Sequence, residues 1–99
     1  MSLPLIVNPE AETDLAEAWT WYEGRRAGLG DDFLLCVEEA FDGIRRSPGL
    51  YATVFQDLRL AMVRRFPFQI IHRVDVNQVT IIAVYHSSRD PRGWLERLP

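Results

Sequence analysis

The sequence predicts an α+β domain in the order β-α-α-β-β-β-β, with an antiparallel two-helix hairpin packed on one face of a mostly antiparallel sheet. Three observations carry this. Apolar residues recur at helical spacing up to Ile44, the period drops to two after Gly49, and turn-forming clusters separate the segments. Leu3 to Val7 reads as a first strand. Asn8-Pro9 then starts a helix, since Asn suits the N-cap and Pro suits the first helical position, where its missing N–H has no intrahelical partner. Leu15, Ala18, Trp19 and Tyr22 follow the i, i+3, i+4, i+7 pattern, and this helix stops near Gly24 to Gly28. Trp19 and Tyr22 are assigned to the core, whereas Trp21 points elsewhere.

The second helix is predicted from Gly30-Asp31, with Phe33, Val37, Ala40, Phe41 and Ile44 as its stripe and Ser47-Pro48-Gly49 as its stop. So short a linker makes the helices antiparallel neighbours. Tyr51 to Phe55 is a short strand, and Gln56-Asp57 is a tight turn. Leu58, Leu60 and Met62 alternate along the next strand. Phe68, Ile70, His72 and Val74 alternate along the one after, which ends in a loop at Asp75 to Gln78. Val79 to His86 is almost continuously apolar, as expected of a central strand covered on both faces. Asp90-Pro91 is placed to cap a last short helix carrying Trp94, Leu95 and Leu98.

The chain of 99 residues has a length typical of one domain, residues 1–99, and 47% apolar with 25% charged residues is globular composition. The start, Met1-Ser2-Leu3-Pro4, lacks a basic region followed by an apolar run, and no stretch reaches membrane-spanning length. With Cys36 the single cysteine, no internal disulfide can form, and a cytoplasmic protein is expected. The net charge of −3 is unevenly spread. Met1 to Ile44 holds two arginines against ten acidic residues, and Arg45 to Pro99 holds nine arginines against four. All basic residues other than histidine are arginine. One layer is thus expected to be acidic and the other basic. The basic half is either a solvated face or a surface for an anion, whether an acidic protein segment or a nucleic acid.

Several chemistries are disfavoured. Gly24, Gly28 and Gly30 are followed by no lysine, so they form no phosphate loop. His72 and His86 lack a third ligand, so neither a metal nor any other cofactor is expected. The acidic run Glu10, Glu12, Asp14 and Glu17 reads as a solvated helix face. Ser87 and Ser88 follow His86 with no acid placed to complete a nucleophile relay, and Cys36 sits among apolar helix positions as a small hydrophobe. What remains is Arg59, Arg64, Arg65, Arg73, His86, Arg89 and Arg92 on the predicted sheet and the segment leaving it. Guanidinium groups hold carboxylates and phosphates through paired hydrogen bonds. Histidine is the side chain whose ordinary titration lies near neutrality, so His86 is the proton-transfer candidate. A hydrogen-bonded residue at a strand end is the bland reading of the same position.

Trp21-Tyr22, Gly28-Leu29-Gly30 leading to Phe33, Pro48 and Tyr51, Arg64-Arg65-Phe66-Pro67-Phe68, Ala83-Val84-Tyr85-His86, and Arg89-Asp90-Pro91 with Trp94 occur in an order and spacing that resemble the RelE/ParE toxin superfamily. The resemblance is to its ParE-like, plasmid-stabilisation branch, and it covers nearly the whole chain. It implies the toxin of a type II toxin–antitoxin pair, neutralised by a small antitoxin with an acidic binding segment in a hetero-oligomer. ParE-like members act on DNA gyrase. RelE-like members cleave mRNA on the ribosome with basic residues and often a C-terminal tyrosine. This chain departs from the nuclease pattern: Gln69 stands at a strand position where RelE has arginine, Gly93 and Trp94 stand near the tyrosine position, and the active-site lysines have no counterpart. If it is nonetheless an RNase, Arg65, His86 and Arg89 are the expected catalytic set. If it binds a target or antitoxin, Arg59, Arg64, Arg65, Arg73, Arg89, Arg92 and Trp94 are the expected contacts. A third expectation is an inactive relative that only binds its antitoxin.

Overall fold

The computed structural model describes residues 3–90 and 92–98. Strand β1 is Leu5–Val7, helix α1 Pro9–Arg25, helix α2 Leu29–Arg46, and strands β2 to β5 are Thr53–Phe55, Leu58–Met62, Phe68–Val74 and Val79–His86. A one-turn helix, α3, spans Arg92–Leu95. The strands form one sheet in the order β1-β5-β4-β3-β2, antiparallel throughout except for β1, which runs parallel to β5. The α+β reading therefore holds, element for element.

The sheet centres on β4, with β5 beside it rather than in the middle. Burial of β5 on both faces is as expected, and a register shift explains how. Ile71 pairs with Ala83 and His72 with Ile81, which leaves Ile82 as an extra residue. Val79, Ile81 and Val84 consequently belong to the core under the helices, whereas Ile82 and Ala83 join the opposite face.

The helix-side core is centred on four rings from four parts of the chain. Tyr22 of α1, Phe33 of α2, Phe66 of the β3–β4 turn and Phe68 of β4 stand with centroids 4.9 to 6.0 Å apart, mostly edge to face. The helix boundaries were set by contacts that periodicity does not encode. Asn8 makes no side-chain cap; its backbone N–H instead donates to Ile81 at 3.1 Å and prolongs the β1 pairing. Gly28, at φ +90°, precedes the first residue of α2, two residues before the predicted start. The Glu23 carboxylate accepts the N–H groups of Gly28 and Gly30, both at 2.9 Å, and so satisfies donors that would otherwise be orphaned at that helix terminus.

The second sheet face is not left free. Trp94, with Leu95 and Leu98, lies on Leu58, Ile71, Ile82 and Ala83. An aliphatic face of that kind needs a cover, and the C-terminal segment is the cover the chain supplies. Among the described residues, no helix is long and apolar enough to cross a membrane.

Candidate functional site

The predicted basic residues do not share one surface, and pleating explains why. Arg59 faces the helix side, because it alternates with Leu58 and Leu60, which face the C-terminal cover. Its guanidinium donates to the carbonyls of Tyr51 and Gly49 and so anchors the segment leading into β2. Arg73, paired in register with Leu58, lies on the other face beside Asp57, with 3.3 Å between Nε and Oδ2. Arg64 reaches α2 and donates twice to the Glu39 carboxylate, at 2.8 and 3.0 Å. That pairing holds the Glu39 carboxyl below its usual range. Arg65 occupies the β3–β4 turn in the left-handed backbone region at φ +74°, with its guanidinium 5.9 Å from the Phe66 ring. The side chain of Arg92, like Pro91 of the predicted cap, lies outside the described residues. Trp94, also among the expected contacts, is 7% exposed and packs against the sheet.

Two of the predicted residues do converge. His86 and Arg89 line a cleft of about 370 Å³ between α1 and the end of β5. Its other lining residues include Trp21, Tyr22, Phe68, Val84, Tyr85, Ser88 and the carboxylates Asp14 and Glu17. Tyr22 and Phe68 belong to the four-ring cluster, so one wall of the cleft is the core itself, and burial pushes the Tyr22 hydroxyl's pKa up. Trp21 is 55% exposed, with the Arg25 guanidinium 4.2 Å from its ring centroid. Arg89 also borders a shallow hollow lined by Asp90, Gly93 and Glu96. Arg65 does not line the cleft.

The hydrogen bonds at His86 assign its tautomer. The backbone N–H of Ser88 donates to Nδ1 at 3.1 Å, and Ser88 Oγ lies 2.7 Å from the same nitrogen. A backbone N–H can only donate, so Nδ1 is the acceptor and the neutral ring carries its proton on Nε2. The ring stands edge-on to Phe68, with centroids 5.3 Å apart. His86 is therefore presented as a donor, with its Nδ1 acceptor already occupied.

Asp14 and Arg97 were not anticipated. The Arg97 guanidinium donates to both Asp14 oxygens, at 2.7 and 2.9 Å, and to the carbonyl of Ile82 at 3.2 Å. Asp14 also accepts the N–H of Val84 at 3.0 Å. The pairing of β1 with β5 stops at Ile81, so these two side chains complete the edge that β1 leaves open. A signal for Asp14 was present, because it falls three residues after Ala11 and four before Ala18, both buried on the sheet-facing stripe of α1. For Arg97 the sequence offered none, since its partners are set by the bulge in β5; for Ser88 the signal was its place two residues after His86.

The family described as the ParE toxin of the type II toxin–antitoxin system parDE matches residues 5–91. No curated protein matches the chain in sequence. Among solved structures, a chain of the chromosomal ParDE toxin–antitoxin system from P. aeruginosa superposes with a TM-score of 0.76 at 16% identity, over 86% of this chain and 96% of that one. A chain of the toxin–antitoxin complex RelBE2 from Mycobacterium tuberculosis gives a TM-score of 0.62 at 20% identity, over 87% of this chain and 99% of that one. At these identities the two structures speak to the fold, and the family match, which spans most of the sequence, speaks to kinship: the chain belongs to the ParE toxin family of type II toxin–antitoxin systems.

Proposed function

We propose that the protein acts in the cytoplasm as a growth-arresting, plasmid-stabilising toxin that binds DNA gyrase, and that a cognate antitoxin with an acidic segment neutralises it. The observation that carries the choice of a binder over an RNA-cutting enzyme is the state of His86. Cleaving a phosphodiester takes a base to accept the attacking proton and cations to hold the charge growing on phosphorus-bound oxygens. The His86 Nδ1 already accepts the Ser88 N–H. Arg89 shares its cleft with Asp14 and Glu17, and Arg65 lies outside that lining. One guanidinium that pairs with no carboxylate among the described residues, set in a lining that also holds Asp14 and Glu17, suits contact with a protein better than a run of phosphates.

Induced expression without the neighbouring antitoxin gene tests this. Growth arrest accompanied by gyrase-linked DNA breaks, relieved by co-expression of that gene, is the expected result. Arrest accompanied only by cleaved transcripts would replace the reading with ribosome-dependent mRNA endonuclease activity. Undisturbed growth would leave an inactive relative that binds its antitoxin alone.

A further inference from the structure

The cleft between α1 and β5 combines an apolar lining with two side-chain donors that find no acceptor among the described residues. Trp21, Tyr22, Phe68, Val84 and Tyr85 form the apolar part. His86 presents Nε2–H because Ser88 holds Nδ1. Arg89 makes no ion pair with any described residue, although it lines the cleft. Asp14, the carboxylate deeper in the helix–strand seam, is already matched by Arg97 and by the Val84 N–H. Glu17, the other lining carboxylate, is exposed and makes no hydrogen bond to a described residue, though its charge acts on Arg97.

We infer that this cleft docks a segment of a partner protein in which a carboxylate stands beside an aliphatic or aromatic side chain. The inference rests on the reading of the chain as a protein-binding toxin. A guanidinium holds a carboxylate through two parallel hydrogen bonds, and the imidazole N–H adds a third donor. The adjoining apolar group displaces water from Trp21 and Tyr85, and the volume of about 370 Å³ suits one such side chain. A nucleic-acid strand is the poorer occupant. It would bring a negative charge with every nucleotide toward Arg89, the one arginine of the lining, and Arg25 over Trp21, with Glu17 in the lining and Glu10 and Glu12 further along the same helix.

Nuclear magnetic resonance titration of the full chain tests it with three probes: N-acetyl-L-leucine, N-acetyl-L-leucinamide and adenosine 5′-monophosphate. The acid is expected to shift the backbone amides from Val84 to Arg89 and the Trp21 indole, and the amide to bind about tenfold more weakly. Arg89→Gln should weaken the acid by about tenfold and leave the amide unchanged. Glu17→Gln should tighten the acid by about threefold, because a like charge is removed from the lining. Gly49→Ala, outside the cleft and with open space for its methyl, should alter neither, which reports that the chain remains folded. Equal binding of acid and amide, stronger binding of the nucleotide at the same resonances, or no shift at millimolar probe would each overturn the inference. The two failures separate cleanly: gyrase-linked breaks together with a silent titration remove this inference alone, whereas transcript cleavage removes the functional reading whatever the titration gives.

Discussion

A methyl group at Gly30 would stand 2.7 Å from Trp19 Nε1 and 2.9 Å from Glu23 Oε1, in the seam between the two helices. Those atoms are not free to retreat. Trp19 Nε1 donates to Asp31 at 3.0 Å, and Glu23 is held by two backbone N–H groups. Gly30→Ala is therefore expected to destabilise the fold by about 1–3 kcal/mol in urea unfolding, the usual cost of overpacking. Gly49→Ala, with no heavy atom within 4 Å of the new methyl, should leave the midpoint almost unchanged. His72 poses the other residue-scale test. It is fully buried beneath the edge of Tyr51 at 5.4 Å between centroids, opposite Arg59 in register, and neither ring nitrogen has a hydrogen-bond partner among the described residues. Burial first, and the charge of Arg59 second, lower its pKa from the ordinary 6.5 to about 4. The unfolded chain thus binds a proton that the folded one refuses. Stability that is complete above pH 6.5 is lost as the pH falls toward 4. His72→Leu should flatten that part of the pH–stability curve, and an unchanged slope in acid would show that carboxylates alone set it.

At the scale of elements, the decisive joint is the Asp14–Arg97 pair, which ties the C-terminal segment to α1 across the open edge of β5. It is mostly shielded, with side-chain exposures of 13% for Asp14 and 26% for Arg97, and it also satisfies two backbone groups of β5. The hydrogen-bonded carboxylate raises the pKa of the Arg97 guanidinium. Asp14→Ala would leave the Val84 N–H without its acceptor and the guanidinium with the Ile82 carbonyl in place of a counter-charge, and a loss of about 2–4 kcal/mol is expected. A double-mutant cycle with Arg97→Ala should show strong coupling, because either single removal leaves an unpaired charge in the seam and the double removal leaves none. The Arg64–Glu39 pair has equally good geometry but joins two side chains that are each more than half exposed, at 63% and 56%. Solvent and salt screen such a pair, so Glu39→Gln is expected to leave the unfolding midpoint where it is.

At the scale of the whole molecule, the described arginines from Arg59 onward are divided among both sheet faces, a turn, the cleft and the α1 seam rather than gathered into one basic patch. Arg64, Arg73 and Arg97 are each matched by a carboxylate. With a net charge of −3, the protein is expected to pass through heparin at physiological salt, since retention requires several unpaired cations on one surface. Retention would revive a nucleic-acid role and weaken the case for a protein target. The sequence did place the arginines on the sheet half of the chain. Alternation alone, however, cannot say which face each strand turns outward, and a side chain's partner across the fold is invisible to it. Arg59 and Arg73 sit on adjacent strands yet on opposite faces, because the register pairs Arg59 with His72 and Leu58 with Arg73.

Local patterns determined the order of elements, the antiparallel hairpin, most of the core and the family, because hydrophobic period and turn chemistry act over neighbouring residues. His86 and Arg89 were legible as candidates for the same reason: they close one strand. Their meeting with α1 in a cleft, the covering of the second sheet face by Trp94 and the joining of Asp14 to Arg97 were decided by the tertiary structure alone. Each depends on residues brought together by a bulge in β5 and by the point where β1 stops pairing, and neither feature leaves a periodic trace in the chain.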